Sequence, residues 1–189
     1  MSGPQWLRNG GVRGLDAVGL DLSGADLSGG DFSESWFTDA VMRKVTLAGA
    51  ELYRSDMQGA DLSGADLTSA SLVRVNLDDA VLAGAILDGA NLVKASLYGV
   101  DATDARCRGT RFQGSSLLDV DLCGADLTDA VVDQNSFKVR VDSRTAWNGL
   151  TGSLFGPVEF VSDEEAREIA GEELARWISE RGGNVRVLP

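Results

Sequence analysis

Large apolar residues recur at every fifth position over most of this chain. Leu22, Leu27, Phe32, Phe37, Met42, Leu47, Leu52, Met57, Leu62 and Leu67 form an unbroken series that continues through Leu72, Leu77, Leu82, Leu87, Leu92 and Leu97. After two smaller members, Ala102 and Cys107, it resumes with Phe112, Leu117, Leu122, Leu127, Val132 and Phe137, and backwards it meets Ala17, Val12 and Leu7. Of the 27 positions from Leu7 to Phe137, 20 are Leu or Phe, and no insertion or deletion breaks the frame. A second series two residues earlier is small: Ala60, Ala65, Ala70, Ala80, Ala85 and Ala90 are typical, with Val45, Val75, Ser55 and Ser115 among the exceptions. Between the two stands usually Asp, Asn, Ser or Thr, and the two residues that follow are polar, small or Gly.

A period of five suits neither regular element. A helix would smear these leucines around its circumference, and a flat strand would send them alternately to both faces. A chain that turns a corner every five residues sends each small and each large residue inward. Four such sides close a coil of about 20 residues, and stacked coils make a solenoid. The glycines fall mainly at the last position of the unit (Gly24, Gly64, Gly84, Gly124), where a corner asks for a permissive φ. The predicted core is a column of Leu and Phe beside a column of Ala, with a loose spot at Ala102 and Cys107. Cys107 faces inward and Cys123 sits in an outward register, which argues against a disulfide.

The units Ala25-Asp26-Leu27-Ser28-Gly29, Ala60-Asp61-Leu62-Ser63-Gly64, Ala65-Asp66-Leu67-Thr68-Ser69, Ala90-Asn91-Leu92-Val93-Lys94 and Ala125-Asp126-Leu127-Thr128-Asp129 resemble the pentapeptide repeat, A(D/N)LXX. The resemblance spans roughly residues 5–140. It implies an all-β solenoid, a right-handed quadrilateral β-helix. At about 4.8 Å per layer, about seven coils make a rod of roughly 33 Å.

Beyond Phe137 the pattern fades. Asn135 and Arg140 occupy small-residue slots, and Trp147 keeps the frame inside a unit unlike the others. Residues 141–161 read as a linker or end coil with a short strand at Val158–Val161. Ser162 and Glu165 have the spacing of a capping box, and Asp163 and Glu164 suit a helix N-terminus. A helix is therefore expected from Ser162 to about Arg181, stopping at Gly182-Gly183. Its apolar stripe is Ala166, Ile169, Ala170, Leu174, Trp177 and Ile178. The tail from Asn184 to Pro189 reads as a last short strand. The open end of a solenoid needs a cover. Residues 162–189 are expected either to cap their own rod or to join two copies as a homodimer through Ile169, Leu174, Trp177 and Ile178, as C-terminal elements do in some members of the family these repeats resemble.

Charge sharpens the picture. The 189 residues hold 17 Lys and Arg against 29 Asp and Glu, a net charge of -12. Such a chain does not bind nucleic acid directly by neutralising phosphates. Outward positions 20 apart stack, so four faces can be told apart. The one carrying Asp16, Asp39, Asp56, Asp78, Asp79 and Asp119, with Lys138, nets -5. Asp61, Asp101 and Asp121 lie round its corner. Asp39, Asp61, Asp78, Asp79, Asp101, Asp119 and Asp121 are the candidate partner-binding residues, and Asp39, Asp79 and Asp119 occupy the register where Gly is usual. A second strip, Tyr53, Arg54, Val73, Arg74, Val93 and Lys94, is mixed apolar and basic and is a candidate protein contact.

Other chemistry is scarce. Histidine is absent, which removes His-based triads, general bases and metal ligands. Two cysteines are too few for a disulfide framework or a four-thiolate zinc site. No phosphate-binding or dinucleotide fingerprint occurs. No enzymatic activity, metal or cofactor is expected. No run of apolar residues is long enough to span a membrane, and the N-terminus lacks the features of a signal peptide, so the expected location is the cytoplasm. The acidic shaft resembles that of pentapeptide repeat proteins that bind DNA gyrase or topoisomerase IV in place of duplex DNA. The resemblance implies a type II topoisomerase as protein partner, inhibited or protected from drugs. The unbroken frame leaves no room for the projecting loops of some quinolone-protection members. The other reading is a structural or scaffolding rod with no such partner.

Overall fold

The computed structural model describes residues 12–162 and 165–189. Leu7, Arg8, Asp163 and Glu164 lie outside them. From Asp16 to Ser115 each five-residue unit supplies one bridging residue, then the large inward residue, a two-residue turn and the small inward residue. The bridging residue pairs in parallel with the one 20 positions on, as in Asp16↔Trp36, Asp61↔Val81 and Asp126↔Ala146. Four sides therefore complete one turn, and the fold is a β-solenoid.

Backbone polarity is satisfied from layer to layer, as a closely packed chain requires. The Leu62 N–H donates to the Val81 carbonyl at 2.7 Å, and the Asp61 N–H donates to the Ala40 carbonyl at 3.0 Å. The carboxylate or amide just before each large residue has a local task. The Ser63 N–H donates to Asp61 Oδ1 at 3.1 Å and the Thr128 N–H to Asp126 Oδ1 at 3.0 Å. This short side-chain turn explains why Asp and Asn dominate that slot. The corner residue is left-handed at every unit from Gly14 to Gln134, with φ of +65° at Gly64 and +60° at Asp79.

Inside, Leu62, Leu72, Leu77 and Leu92 are fully buried beside Ala60, Ala70, Ala80 and Ala90. Phe32 and Phe37 meet edge to face at 6.1 Å, filling the core near the N-terminal end of the described rod. Ala102 and Cys107 are only 4% and 2% exposed, so the expected loose spot stays closed to solvent. Both cysteines are free.

The ladder lengthens into continuous strands toward the C-terminus: β1 (Ser116–Asp121), β2 (Val131–Val141) and β3 (Thr151–Phe155). Here the frame slips by one residue. Ser116 pairs with Ser136, but Val120 pairs with Val139 and Asp121 with Arg140. Val139 thus takes the small slot expected for Arg140, and Val141 the large one; both are buried. By Asp126↔Ala146 the spacing is again 20, and Trp147 returns to the core. Arg140 is released to the surface, where it meets Asp121 at 2.6 Å. Asn135 does occupy its small slot, fully buried, because its side-chain amide donates to the Ser115 carbonyl at 2.9 Å and Ser115 Oγ at 2.8 Å.

The winding continues past the expected boundary at residue 140. β3 stacks in parallel on β2, and Leu150, Leu154 and Val158 are buried. β4 (Val158–Val161) forms as expected and pairs antiparallel with β5 (Ala166–Ile169), and the tail strand β6 (Asn184–Leu188) lies parallel to β3. The expected helix start is corrected. Ser162 Oγ does accept the Glu165 N–H at 3.2 Å, but this contact closes the β4–β5 hairpin instead of capping a helix. The helix α1 spans Gly171–Ser179, with an extended Ala170 before it. Gly171 has φ +56°, a left-handed residue that a helix cannot run through. Ala166 and Ala170 are accordingly exposed, while Ile169, Leu174, Trp177 and Ile178 are buried against the end of the core. Trp177 meets Trp147 at 5.4 Å and Phe160 at 5.7 Å, and the Arg181 guanidinium lies 3.9 Å over its ring. The outward residues of α1 are Glu172, Glu173, Arg176 and Ser179.

Candidate partner-binding face

The seven acidic candidates divide by register. Asp61, Asp101 and Asp121 occupy the slot just before a large residue, and each accepts the backbone N–H two residues on. Asp61 also holds Arg43 at 2.5 Å, and Asp121 holds Arg140. Partial burial works to raise the Asp61 pKa, but hydrogen bonds from Ser63 and Arg43 outweigh it and hold the carboxyl below the usual aspartate range. Asp78 is tied to the next coil, accepting the Ser96 hydroxyl at 2.6 Å and the Tyr98 N–H at 2.9 Å.

Asp39, Asp79 and Asp119 sit on left-handed corners, with φ of +54°, +60° and +58°. Asp tolerates this conformation better than most side chains. They alternate up one edge with Gly59 and Gly99. The Asp39 and Asp79 carboxylates reach over Gly59 and Gly99, in the space a Cβ there would take. Lys138 closes on Asp119 at 2.7 Å. Among the described residues Asp39 and Asp79 form neither an ion pair nor a side-chain hydrogen bond. Two layers apart, at about 9.6 Å, they repel by about 0.4 kcal/mol in water.

The structure adds two residues to this face. Trp36 and Tyr98 are 50% and 49% exposed between the acids, Trp36 in a slot that usually carries Asp or Asn. Their outward registers are readable in the sequence, where no charge marks them. Half-exposed Trp and Tyr are the residue types that anchor protein interfaces. Among the described residues the face holds Asp16, Asp39, Asp56, Asp78 and Asp79 with no ion pair before the Asp119–Lys138 contact.

The mixed strip lies on the adjoining side. Arg54, Arg74 and Lys94 occupy left-handed corners of three consecutive coils and are exposed, with Tyr53, Val73 and Val93 half-buried beside them. Arg54 stacks over Tyr53 at 5.2 Å. A cleft of about 330 Å³ near Asp119, Pro157 and Glu159 has three cations, Lys138, Arg140 and Arg167, all engaged in ion pairs. No helix among the described residues is long and apolar enough to cross a membrane.

A rod of stacked five-residue sides, small and large residues inward and polar corners outward, defines a solenoid class of repeat protein. The pentapeptide repeats match in eight copies, at residues 13–43, 21–59, 60–99 and 90–129, and this chain belongs to that family. No curated protein matches its sequence. Solved structures similar to it include the following three. HetL, a pentapeptide repeat protein involved in heterocyst differentiation regulation from the cyanobacterium Nostoc sp. strain PCC 7120, is 22% identical over 81% of this chain and 82% of that one, with a TM-score of 0.47. Rfr23 from the cyanobacterium Cyanothece 51142 is 24% identical over 71% and 89%, with a TM-score of 0.43. A trypsin-treated form of QnrB1, a plasmid-mediated fluoroquinolone resistance protein, is 20% identical over 75% and 74%, with a TM-score of 0.39.

Proposed function

We propose that this protein is a non-enzymatic binding rod, a right-handed quadrilateral helix of about seven coils, that acts in the cytoplasm as a mimic of duplex DNA. Its partner is a type II topoisomerase, DNA gyrase or topoisomerase IV, which it modulates or shields from inhibitors. The observation that carries this reading is the face of Asp16, Asp39, Asp56, Asp78 and Asp79, whose carboxylates carry no ion pair among the described residues. A groove that normally holds phosphates offers cations to such a face, and Trp36 and Tyr98 add apolar contact. Asp61, Asp119 and Asp121 contribute less, because Arg43, Lys138 and Arg140 already neutralise them. The burial of Ile169, Leu174, Trp177 and Ile178 within one chain favours the C-terminal segment as a cap over a homodimer contact through these four residues.

A purified-gyrase supercoiling assay tests the proposal. The protein is expected to inhibit at low salt and more weakly at physiological salt. Asp39→Asn/Asp79→Asn, which keeps side chains tolerant of the left-handed corner, should lose most of the effect. No effect at micromolar protein, or inhibition that ignores both salt and the double substitution, refutes it. A specific observation favours the second reading, a scaffold without a topoisomerase partner: Asp61, Asp101 and Asp121 all serve the turns of their own coil. The same assay separates the two.

A further inference from the structure

Arg54, Arg74 and Lys94 stack on left-handed corners of consecutive coils without an ion pair among the described residues, whereas the other such corner cation, Lys44, stands alone in its column. Arg43, Arg106, Arg108, Lys138 and Arg140 each reach a carboxylate. Among the described residues Arg54, Arg74, Lys94 and the nearby Arg111 form no ion pair. Each of the three strip residues also holds a left-handed corner, with φ of +56°, +59° and +60°. Glycine would hold such a corner without strain. Like charges about 4.8 Å of rise apart add repulsion. Within the described residues only the Arg54–Tyr53 stack answers these charges.

We propose that this strip is a docking surface for an acidic segment of another protein, separate from the acidic face. Charge complementarity names the occupant's chemistry, and the surroundings narrow it to a short protein segment. Glu34 precedes Arg54 in the same column and Gln134 closes it beyond Gly114, so the cationic stretch covers only three coils. Any long polyanion lying along it would run onto a chain of net charge -12. The half-buried Val73 and Val93 and the Arg54–Tyr53 stack give the apolar and aromatic contact of a protein interface. Arg54, Arg74 and Lys94 are point contacts for carboxylates, and Tyr53 is the anchor at one end.

Fluorescence anisotropy with a labelled octaglutamate peptide at low salt tests the proposal on the full chain. Two triple variants are compared with the native protein: Arg54→Gly/Arg74→Gly/Lys94→Gly, which suits the corners, and Arg54→Gln/Arg74→Gln/Lys94→Gln, which keeps long polar stems. Native circular dichroism and melting of the Gln variant show that its fold is kept. The peptide is expected to bind the native protein and to bind both variants about tenfold more weakly, each exposed pair contributing about a factor of two. Asp39→Asn/Asp79→Asn should not weaken it. Absence of binding to the native protein, equal binding by the folded Gln variant, or tighter binding to oligothymidylate or phosphatidylserine vesicles than to the peptide overturns the proposal.

Discussion

Replacing Trp177 by Ala should unfasten the C-terminal end of the rod while leaving its middle intact. Trp177 is 6% exposed and touches Trp147, Phe160 and Arg181. An aromatic side chain of this size buries about 200 Å², which at about 25 cal/mol per Å² is about 5 kcal/mol. Partial collapse of α1 onto the vacated space recovers some of that, and core Trp→Ala changes cost about 3–5 kcal/mol, so about 4 kcal/mol is expected. The location of the loss is the sharper test. Each layer of a solenoid touches only its neighbours, so stability is a sum of local terms. Hydrogen exchange should quicken at the amides of β3, β4 and β6 and stay unchanged from Asp61 to Ala85. Urea unfolding should show an early phase belonging to the end coil. A loss below about 1 kcal/mol, an ordinary figure for any substitution, would contradict the capping role, and so would exchange that quickens evenly along the whole chain.

Three further outcomes follow from the same geometry. Ala65→Leu should cost about 1–3 kcal/mol in a chemical melt, because the fully buried small column has no room for added carbons; an unchanged midpoint would mean the walls can spread. Burial, reinforced by Asp88 and Asp126, pushes the Cys107 thiol up to about 12, and burial with the neighbouring Asp121 pushes Cys123 up to about 12. At pH 8 about one thiol in ten thousand is then ionised, so a disulfide-exchange dye should react slowly with the native protein and promptly with both cysteines in urea. Asp61, Asp126 and Asp142 have pKa values lowered by hydrogen bonds that outweigh their partial burial. A depressed folded value stabilises the fold above the unfolded pKa and is lost as protons bind. Melting temperatures should therefore hold level down to about pH 4 and fall below it; a decline already present near pH 6 would rule these carboxylates out as its source.

The central rod was readable because every unit repeats the same physical demand. A large residue at every fifth position is compatible with one winding only, and the left-handed corners at Gly64 and Gly84 were legible from residue type alone. The C-terminal region was not legible in the same way. Ser162 and Glu165 make the very contact their spacing suggests, yet that contact serves a hairpin as well as a helix, and only Gly171, left out of the stripe, marks where the helix begins. The slip at Val139 was hidden because Val139 and Val141 look no more inward than Arg140 until the pairing with Val120 is known. In the candidate face, the contacts that mute Asp61 and Asp121 come from residues 18 and 19 positions away. Which carboxylate a given arginine reaches depends on the side of the corner from which it leaves, and the repeat pattern is silent on that.

The pairing interval of 20 residues makes the chain a ruler with four engraved edges. Copying any 20 consecutive residues within the rod would add one notch and leave every edge aligned. Copying a single five-residue unit would lengthen the chain far less, yet it would swing everything downstream through a quarter turn, breaking the alternation of Asp39, Asp79 and Asp119 and setting arginines where acids had stood. Growth or shrinkage of this molecule by whole turns preserves whatever its sides recognise, and any other change of length rewrites it.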